Sequence, residues 1–212
     1  MTDIALAWTL SDSQPPPPCQ IWEAGPVRVI GAPAASCSTP RLRLGLLQSC
    51  FEAGIDVAAL GLERAWPLAA ALQQAATCHD DLRDQLNCLQ GAGQLTLHLT
   101  WDQEQPLPGI TTGRGWLTAR HHRQARADLA AAALLDLASL NCVMQGPIHR
   151  AACTCSIDLL VARSDFDRVK ARIAQAGCDP RWTGLPAPSL TVTGLWPPVA
   201  FARRPLAAGF RA

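Results

Sequence analysis

Residues 189–201 read SLTVTGLWPPVAF, and this stretch decides how the second half of the chain is interpreted. Leu190 and Val192 alternate with threonines, which is the two-residue period of a β-strand with one apolar face. Gly194 is expected to end the strand, because glycine adopts backbone angles that other residues resist. The stretch therefore predicts a final strand that stops just before a tryptophan.

A stiff arm is expected to follow this strand. Trp196 offers an apolar surface of about 150–250 Å² when a side chain of this type is buried. Pro197 and Pro198 fix their own φ angles and hold the residues before them in extended conformations. The chain is thus predicted to continue as a tryptophan-anchored arm stiffened by two prolines.

Composition limits the class of protein. The chain has 212 residues, 49% of them hydrophobic, which suffices for one large domain or two small ones with a real core. The formal charge is +1 with both signs interspersed, so nothing favours nucleic acid or an anionic membrane as a partner. No apolar run approaches the length of a membrane span, and the N-terminus lacks the basic start of a secretory signal. Nine cysteines without such a signal predict a reducing, cytoplasmic location.

The second half of the chain alternates strands and helices. Strands are predicted over residues 94–101, 115–119 and 153–161, with an alanine-rich helix over 120–145. A further helix is predicted between Ser164 and Gly177, before the final strand. This order is most of a ferredoxin-like split βαβ pattern, an α+β sheet with its helices on one face.

The long helix needs an apolar face to pack on that sheet. The residues expected to form its seam recur at helical spacing and are Leu129, Ala133, Leu137, Leu140 and Met144. A glycine and a proline directly after residue 145 are expected to stop the helix.

The first half predicts a smaller α+β unit. Strands are expected over residues 4–10 and from Val27, then a helix that begins at Pro40, and then a short extended segment. A single longer helix is predicted from Pro67 to Leu89, with His79 in its apolar seam. The glycines that follow this helix suggest two domains, residues 1–91 and 92–212.

No catalytic motif is found. The sequence lacks a nucleophile elbow, a P-loop, a zinc-protease motif and a C-x-x-C pair, so we expect no catalytic residues and no cofactor. Cys153 and Cys155 are interpreted as small core residues on a strand, and His79 as a core histidine. We therefore also expect no bound metal and predict that the protein is not an enzyme.

The blocks of the second half together resemble the gas vesicle protein F/L family. That family ends roughly in Gly-Pro-Trp-Pro-Pro-Tyr-Ser-Phe, and the matching residues here are Gly194, Trp196, Pro197, Pro198 and Phe201. A helix ending in leucine and glycine is matched by Leu89-Gln90-Gly91, and a Gly-x-x-Tyr-Leu helix entry by Gly113-Arg114-Gly115-Trp116-Leu117. The first half matches less: a Pro-x-Arg-Phe-Gly segment reads Val57-Ala58-Ala59-Leu60-Gly61.

The resemblance implies a fold and a function. It implies two α+β domains, the second a modified ferredoxin-like sheet with a long helix, and an accessory or structural role in gas vesicles. Members of the family are thought to bind the small amphipathic shell protein and to assist its assembly, with the shell protein and other accessory proteins as partners and the cytoplasm and gas vesicle as location. For this chain we hypothesise that the contact surface lies in the second half and includes four residues of the arm: Trp196, Pro197, Pro198 and Phe201.

Two other functions remain open from the residues alone. A ferredoxin-like sheet can serve as a regulatory module that binds a small ligand, for which Thr96, His98 and Thr100 are the candidate polar residues. A thiol enzyme would need an exposed cysteine with a low pKa, and Cys19 and Cys37, both in expected loops, are its candidates.

Overall fold

The structure is a computed structural model that describes residues 3–102, 112–139, 142–176 and 184–202. The chain divides into two compact units. The first runs from the N-terminus to Gly93 and takes up the chain again at Trp196, and the second is Gln94–Leu195. The described part of the tail, residues 196–202, therefore groups with the first unit, whereas the sequence alone assigns it to the domain of residues 92–212.

The first unit is built on an antiparallel sheet of five strands. These are β1 (Asp3–Thr9), β2 (Gln20–Ala24), β3 (Val27–Pro33), β4 (Ala58–Ala59) and β5 (Trp66–Pro67). The order is β2-β3-β1-β4, and β5 also pairs with β1. The central strand β1 carries buried side chains at every position from Ala5 to Thr9, so it anchors the core of this unit. The two strands predicted over residues 4–10 and from Val27 are confirmed as β1 and β3. Strand β2, between a proline run and a turn, was not predicted.

Three helices accompany this sheet: α1 (Pro40–Glu52), α2 (Leu68–Thr77) and α3 (His79–Leu89). Helix α1 begins as predicted, with Pro40 in its first turn and the Thr39 side chain accepting the Leu42 backbone N–H at 3.2 Å.

The single helix predicted over residues 67–89 is wrong. The backbone breaks at Cys78, whose φ and ψ are −122° and 31°, and α3 starts anew with two aspartates in its first turn. Carboxylates there are favoured by the positive end of the helix dipole. His79 consequently lies at a helix start, 3.4 Å from the Asp80 carboxylate and half exposed, and is not the core residue that the seven-residue seam suggested.

Arg43 on α1 is the unexpected core residue of the first unit. Its side chain is 4% exposed. The guanidinium donates to the Cys37 carbonyl at 2.7 Å and, through Nε, to the Leu62 carbonyl at 2.8 Å. These bonds tie α1 to the chain on both sides of it, and they satisfy a buried charge that would otherwise be costly.

The second unit is an antiparallel sheet of four strands with two helices. Its strands are β6 (Ala92–Thr100), β7 (Met144–Arg150), β8 (Thr154–Ala162) and β9 (Ser189–Trp196), and its helices are α4 (Gly113–Ser139) and α5 (Phe166–Ala176). The strand order β7-β8-β6-β9 with this βαββαβ sequence is the ferredoxin-like arrangement. Both helices contribute to one core with alternate residues of the strands, as the α+β prediction requires.

Helix α4 differs from its prediction at both ends. It begins at Gly113, so the short strand predicted over residues 115–119 is helix, and it ends at Ser139. The predicted end of the helix instead forms β7, where Gly146 and Pro147 lie at a register irregularity of an edge strand. Proline is tolerated on a sheet edge because no partner needs its missing N–H.

The predicted seam of α4 is confirmed at Ala133 and Leu137, which are buried, and differs elsewhere. The members of the observed seam recur at steps of three and four residues and include Ala127, Ala130, Leu134 and Leu137. Leu129 is 41% exposed and Met144 lies on β7, while Leu140 lies outside the described residues. Alanines form most of the face that packs on the sheet, and an alanine is found as readily on the buried as on the exposed side of a helix, so its position does not indicate which side is buried.

Gly194 does not end the last strand, as the sequence predicted, but lies within β9. Its φ is +130°, and a Cβ there would lie 2.6 Å from the Gln94 carbonyl oxygen and 3.0 Å from Leu95 Cδ2. The glycine therefore lets β9 approach β6 closely in a conformation that other residues avoid.

We expect Gly194→Ala to lower the free energy of unfolding by about 2 kcal/mol, because the new methyl group meets backbone and the φ angle is strained. Gly45→Ala is the matched control, since Gly45 lies within α1 with open space around it. It should raise stability by about 0.5–1 kcal/mol through helix propensity. Denaturant titrations of both variants measure this, and a neutral Gly194→Ala would contradict the close approach.

Arg43→Lys should cost about 2 kcal/mol, because an ammonium group cannot reach two separate carbonyls as the guanidinium does. Arg41→Lys, two residues earlier on the same helix and exposed, should change stability by less than about 0.5 kcal/mol. Equal effects of the two substitutions in thermal or denaturant unfolding would show that the buried guanidinium is not the source of stability.

Candidate functional site

The C-terminal arm, the first predicted contact surface, is mostly packed. Trp196 is 38% exposed, whereas Pro197 and Pro198 are buried and Phe201 is 8% exposed. A short 3-10 turn spans Val199–Phe201, and the Phe201 carbonyl accepts the Gln85 side-chain amide at 3.4 Å within the first unit. Of the four arm residues that the sequence predicted to bind a partner, the structure leaves Trp196 accessible.

The two cysteines considered as candidates for a thiol enzyme are both buried, so neither has the exposure that such an enzyme would need. A hydrogen bond with Cys50, together with burial, raises the pKa of the Cys19 thiol. Burial raises the pKa of the Cys37 thiol. A thiolate, the reactive species, is therefore disfavoured at both positions.

Thiol accessibility can be measured directly. With iodoacetamide at about pH 8, Cys88, which is exposed on α3, should be alkylated first among the cysteines in the described ranges, while Cys19, Cys37 and Cys155 should react roughly tenfold or more slowly. Peptide mass spectrometry over time reports each position, and labelling in denaturant provides the reference in which all sites react. Fast native labelling of Cys19 or Cys37 would restore the thiol hypothesis.

The polar face of β6, considered for a small ligand, is occupied by its own neighbours. Thr96 Oγ1 donates to Asp158 Oδ1 at 2.6 Å and Gln94 Nε2 donates to the same oxygen at 3.0 Å. Thr100 Oγ1 donates to the Ser189 carbonyl oxygen at 3.4 Å. Asp158, 9% exposed, was not singled out from the sequence; its signal is a single carboxylate within an apolar strand. These bonds hold neighbouring strands together and engage the hydroxyl groups of Thr96 and Thr100. His98, the third candidate, is partly buried, and its backbone carbonyl accepts the Thr191 hydroxyl.

One cleft in the second unit is lined by arginines. It has a volume of about 240 Å³ and includes Arg168 and Arg172 in its lining. Small-molecule sites are usually larger, about 300–1,000 Å³. Asp165 pairs with Arg168 at 2.9 Å, so part of the charge is already neutralised. Among the described ranges, no three histidine, cysteine or acidic side chains come together in a group that could hold a metal ion.

A second exposed surface lies at the start of α4, and the sequence analysis missed it. Thr112 begins the helix, its hydroxyl accepting the Gly115 N–H at 3.2 Å. Trp116 is 51% exposed and Leu117 is 59% exposed, and no residue of the helix before Ala127 is buried. The available signal was charge, because the sequence from residue 113 to residue 127 contains four arginines and no acid.

Comparisons with known proteins identify the fold. No family model matches the sequence, and no curated protein matches it. Among solved structures, gas vesicle protein GvpF from Anabaena sp. PCC7120 is similar with a TM-score of 0.73 at 10% identity, covering 99% of each chain. GvpF from Microcystis aeruginosa is similar with a TM-score of 0.69 at 10% identity, covering 96% of this chain and 99% of that one.

The fold is therefore that of a gas vesicle protein. More particularly, this chain has the GvpF fold over nearly its whole length. The predicted resemblance and the predicted α+β class, with its long helix, are confirmed at the level of fold. None of the described helices combines the length and the apolar character that a bilayer crossing requires.

Proposed function

We propose that the protein is a gas vesicle accessory protein that binds the small shell subunit and assists vesicle assembly in the cytoplasm. The observation that supports this most is the likeness to GvpF, which covers 99% of the chain and thus both units. We also propose that it acts by binding and not by catalysis. The buried thiols and the internally bonded polar face of β6 support that second part.

A physical mechanism follows from the exposed surfaces. Shell subunits with apolar faces must be kept from aggregating before they polymerise, and a protein with accessible apolar groups or sheet edges can cover them. Trp196 is one such group. Strand β9 is another, since it lies at a sheet edge and contains neither charge nor proline, the usual protections against strand addition. Its core-side residues Leu190 and Val192 are only partly buried.

Co-expression with the shell protein tests this function. The tagged full-length chain should co-purify with the shell protein, and Trp196→Ala should reduce recovery roughly tenfold if the arm is a contact. Leu42→Ala is the control, because Leu42 is an exposed apolar residue of α1, 47% exposed. It should leave recovery unchanged.

Two results would count against the proposal. Failure of the wild-type chain to recover any shell protein would contradict the function. Equal recovery with Trp196→Ala would remove the arm from the contact surface but leave the function standing.

A further inference from the structure

The first half of α4 continues the row of side chains that packs on the sheet, but with different chemistry. From Ala127 onward this row is buried and includes Ala130 and Leu134. At the same steps of three and four residues, it continues toward the N-terminus as Arg123, Arg120 and Trp116, all exposed. We name residues 113–126 the basic overhang. Its side chains begin where the core contacts of the helix end.

The basic overhang concentrates charge of one sign. It contains Arg114, Arg120, Arg123 and Arg126 together with two histidines and no carboxylate. The whole chain has a net charge of only +1, so the rest of it is net negative. Arg114 and Arg123 form no ion pair with any carboxylate in the part of the chain that the structure describes. Arg120 and Arg123, three residues apart, are neighbours on the helix surface, and like charges closer than the Debye length, about 8 Å in physiological salt, reinforce one another's field.

Two apolar side chains lie within this charge. Trp116 and Leu117 are more than half exposed, and the Arg120 guanidinium lies 5.5 Å from the centre of the Trp116 ring. Tryptophan and arginine are the residue types most enriched among those that dominate binding energy at protein interfaces. A cation held over an aromatic ring is also partly ordered before any partner arrives, which lowers the entropy cost of binding.

The composition of the basic overhang indicates an acidic protein segment as its partner. A helix that lies in a bilayer surface needs a long continuous apolar face, and here the row between Trp116 and Ala127 consists of arginines. Nucleic-acid-binding domains are usually strongly basic as a whole, whereas this chain has a net charge of +1. An acidic segment with an apolar residue matches both components, since carboxylates pair with guanidinium groups in bidentate fashion.

We propose that the basic overhang is a further docking surface, in addition to Trp196 and β9, and that it takes an acidic, apolar-bearing segment of the shell subunit. This rests on the function proposed above, and adds the surface and the chemistry of the contact. The downstream half of α4, anchored by its buried alanines and leucines, fixes the helix in place, so docking requires little ordering of the chain.

Binding of the shell protein to the full-length chain tests this surface. Arg114→Glu/Arg123→Glu should weaken binding roughly tenfold or more, and Trp116→Ala by several-fold, on the order of what interface anchors contribute. Arg114→Gln/Arg123→Gln, which removes charge without reversing it, should give a smaller loss. The matched control is Arg41→Glu/Arg64→Glu, two exposed arginines of the first unit, for which the change should stay within about twofold. Binding of the wild type should weaken between about 50 mM and about 300 mM salt.

The outcomes separate the surface from the function. If the wild type binds the shell protein and the arginine and Trp116 variants bind equally well, the basic overhang is not the site, and the proposed function stands. If the wild type does not bind it at all, the proposed function fails and this inference fails with it. Tighter binding to a DNA duplex of about 20 base pairs or to phosphatidylserine vesicles, lost in the same variants, would assign the overhang to a different partner and overturn the inference. Circular dichroism before each measurement confirms that the helix is intact.

Discussion

The second unit depends on the contact between one face of α4 and its four-stranded sheet. Alanines supply most of that face, and several of them are fully buried. Small side chains let a helix approach a sheet closely, and the larger strand residues Leu95, Leu97 and Leu99 then fill the space between them. The contact fixes where α4 is held and therefore where its unburied half begins. The location of the exposed tryptophan and arginines follows from this packing.

Much of the ferredoxin-like arrangement could be predicted from alternation and punctuation. Strands β6 and β8 alternate apolar and polar residues or form a continuous apolar run, and their identification needs no tertiary information. The bounds of α4 could not be fixed in the same way, because alanine and arginine favour helix along its entire length. Trp116 and Leu117 near its start favour a strand in the sequence, whereas the structure places both in the helix with exposed side chains. Strand β7 carries Gly146 and Pro147, which are typical of a helix stop, and its position at a sheet edge is what makes them acceptable.

The candidate site was less predictable than the fold. Trp196 was identified from its unusual neighbourhood, but the burial of Pro197, Pro198 and Phe201 depends on how the tail packs, which local sequence does not encode. Arg43 was missed because a charged residue in a helix is normally interpreted as a surface residue. One of the carbonyls that it binds, that of Leu62, is also about twenty positions away in the sequence. The burial of Cys19 and Cys37 could not be predicted locally either, because short segments between the longer helices and strands can lie inside a core; Cys37, for example, is the buried last residue of a 3-10 turn.

The return of the tail to the first unit makes the second unit an insertion in the order of the chain. Val199 and Ala202 pack against the core that is otherwise built from residues 4–62, so that core contains residues from both sides of the inserted unit. During synthesis on the ribosome, all residues of the second unit are made before Trp196 is reached. The first unit, although it begins earlier, lacks its C-terminal residues until then. A nascent chain halted before Trp196 would therefore contain every residue of the second unit but would leave the core of the first unit without Val199 and Ala202. The first unit is therefore the one whose synthesis begins first and whose core is completed last.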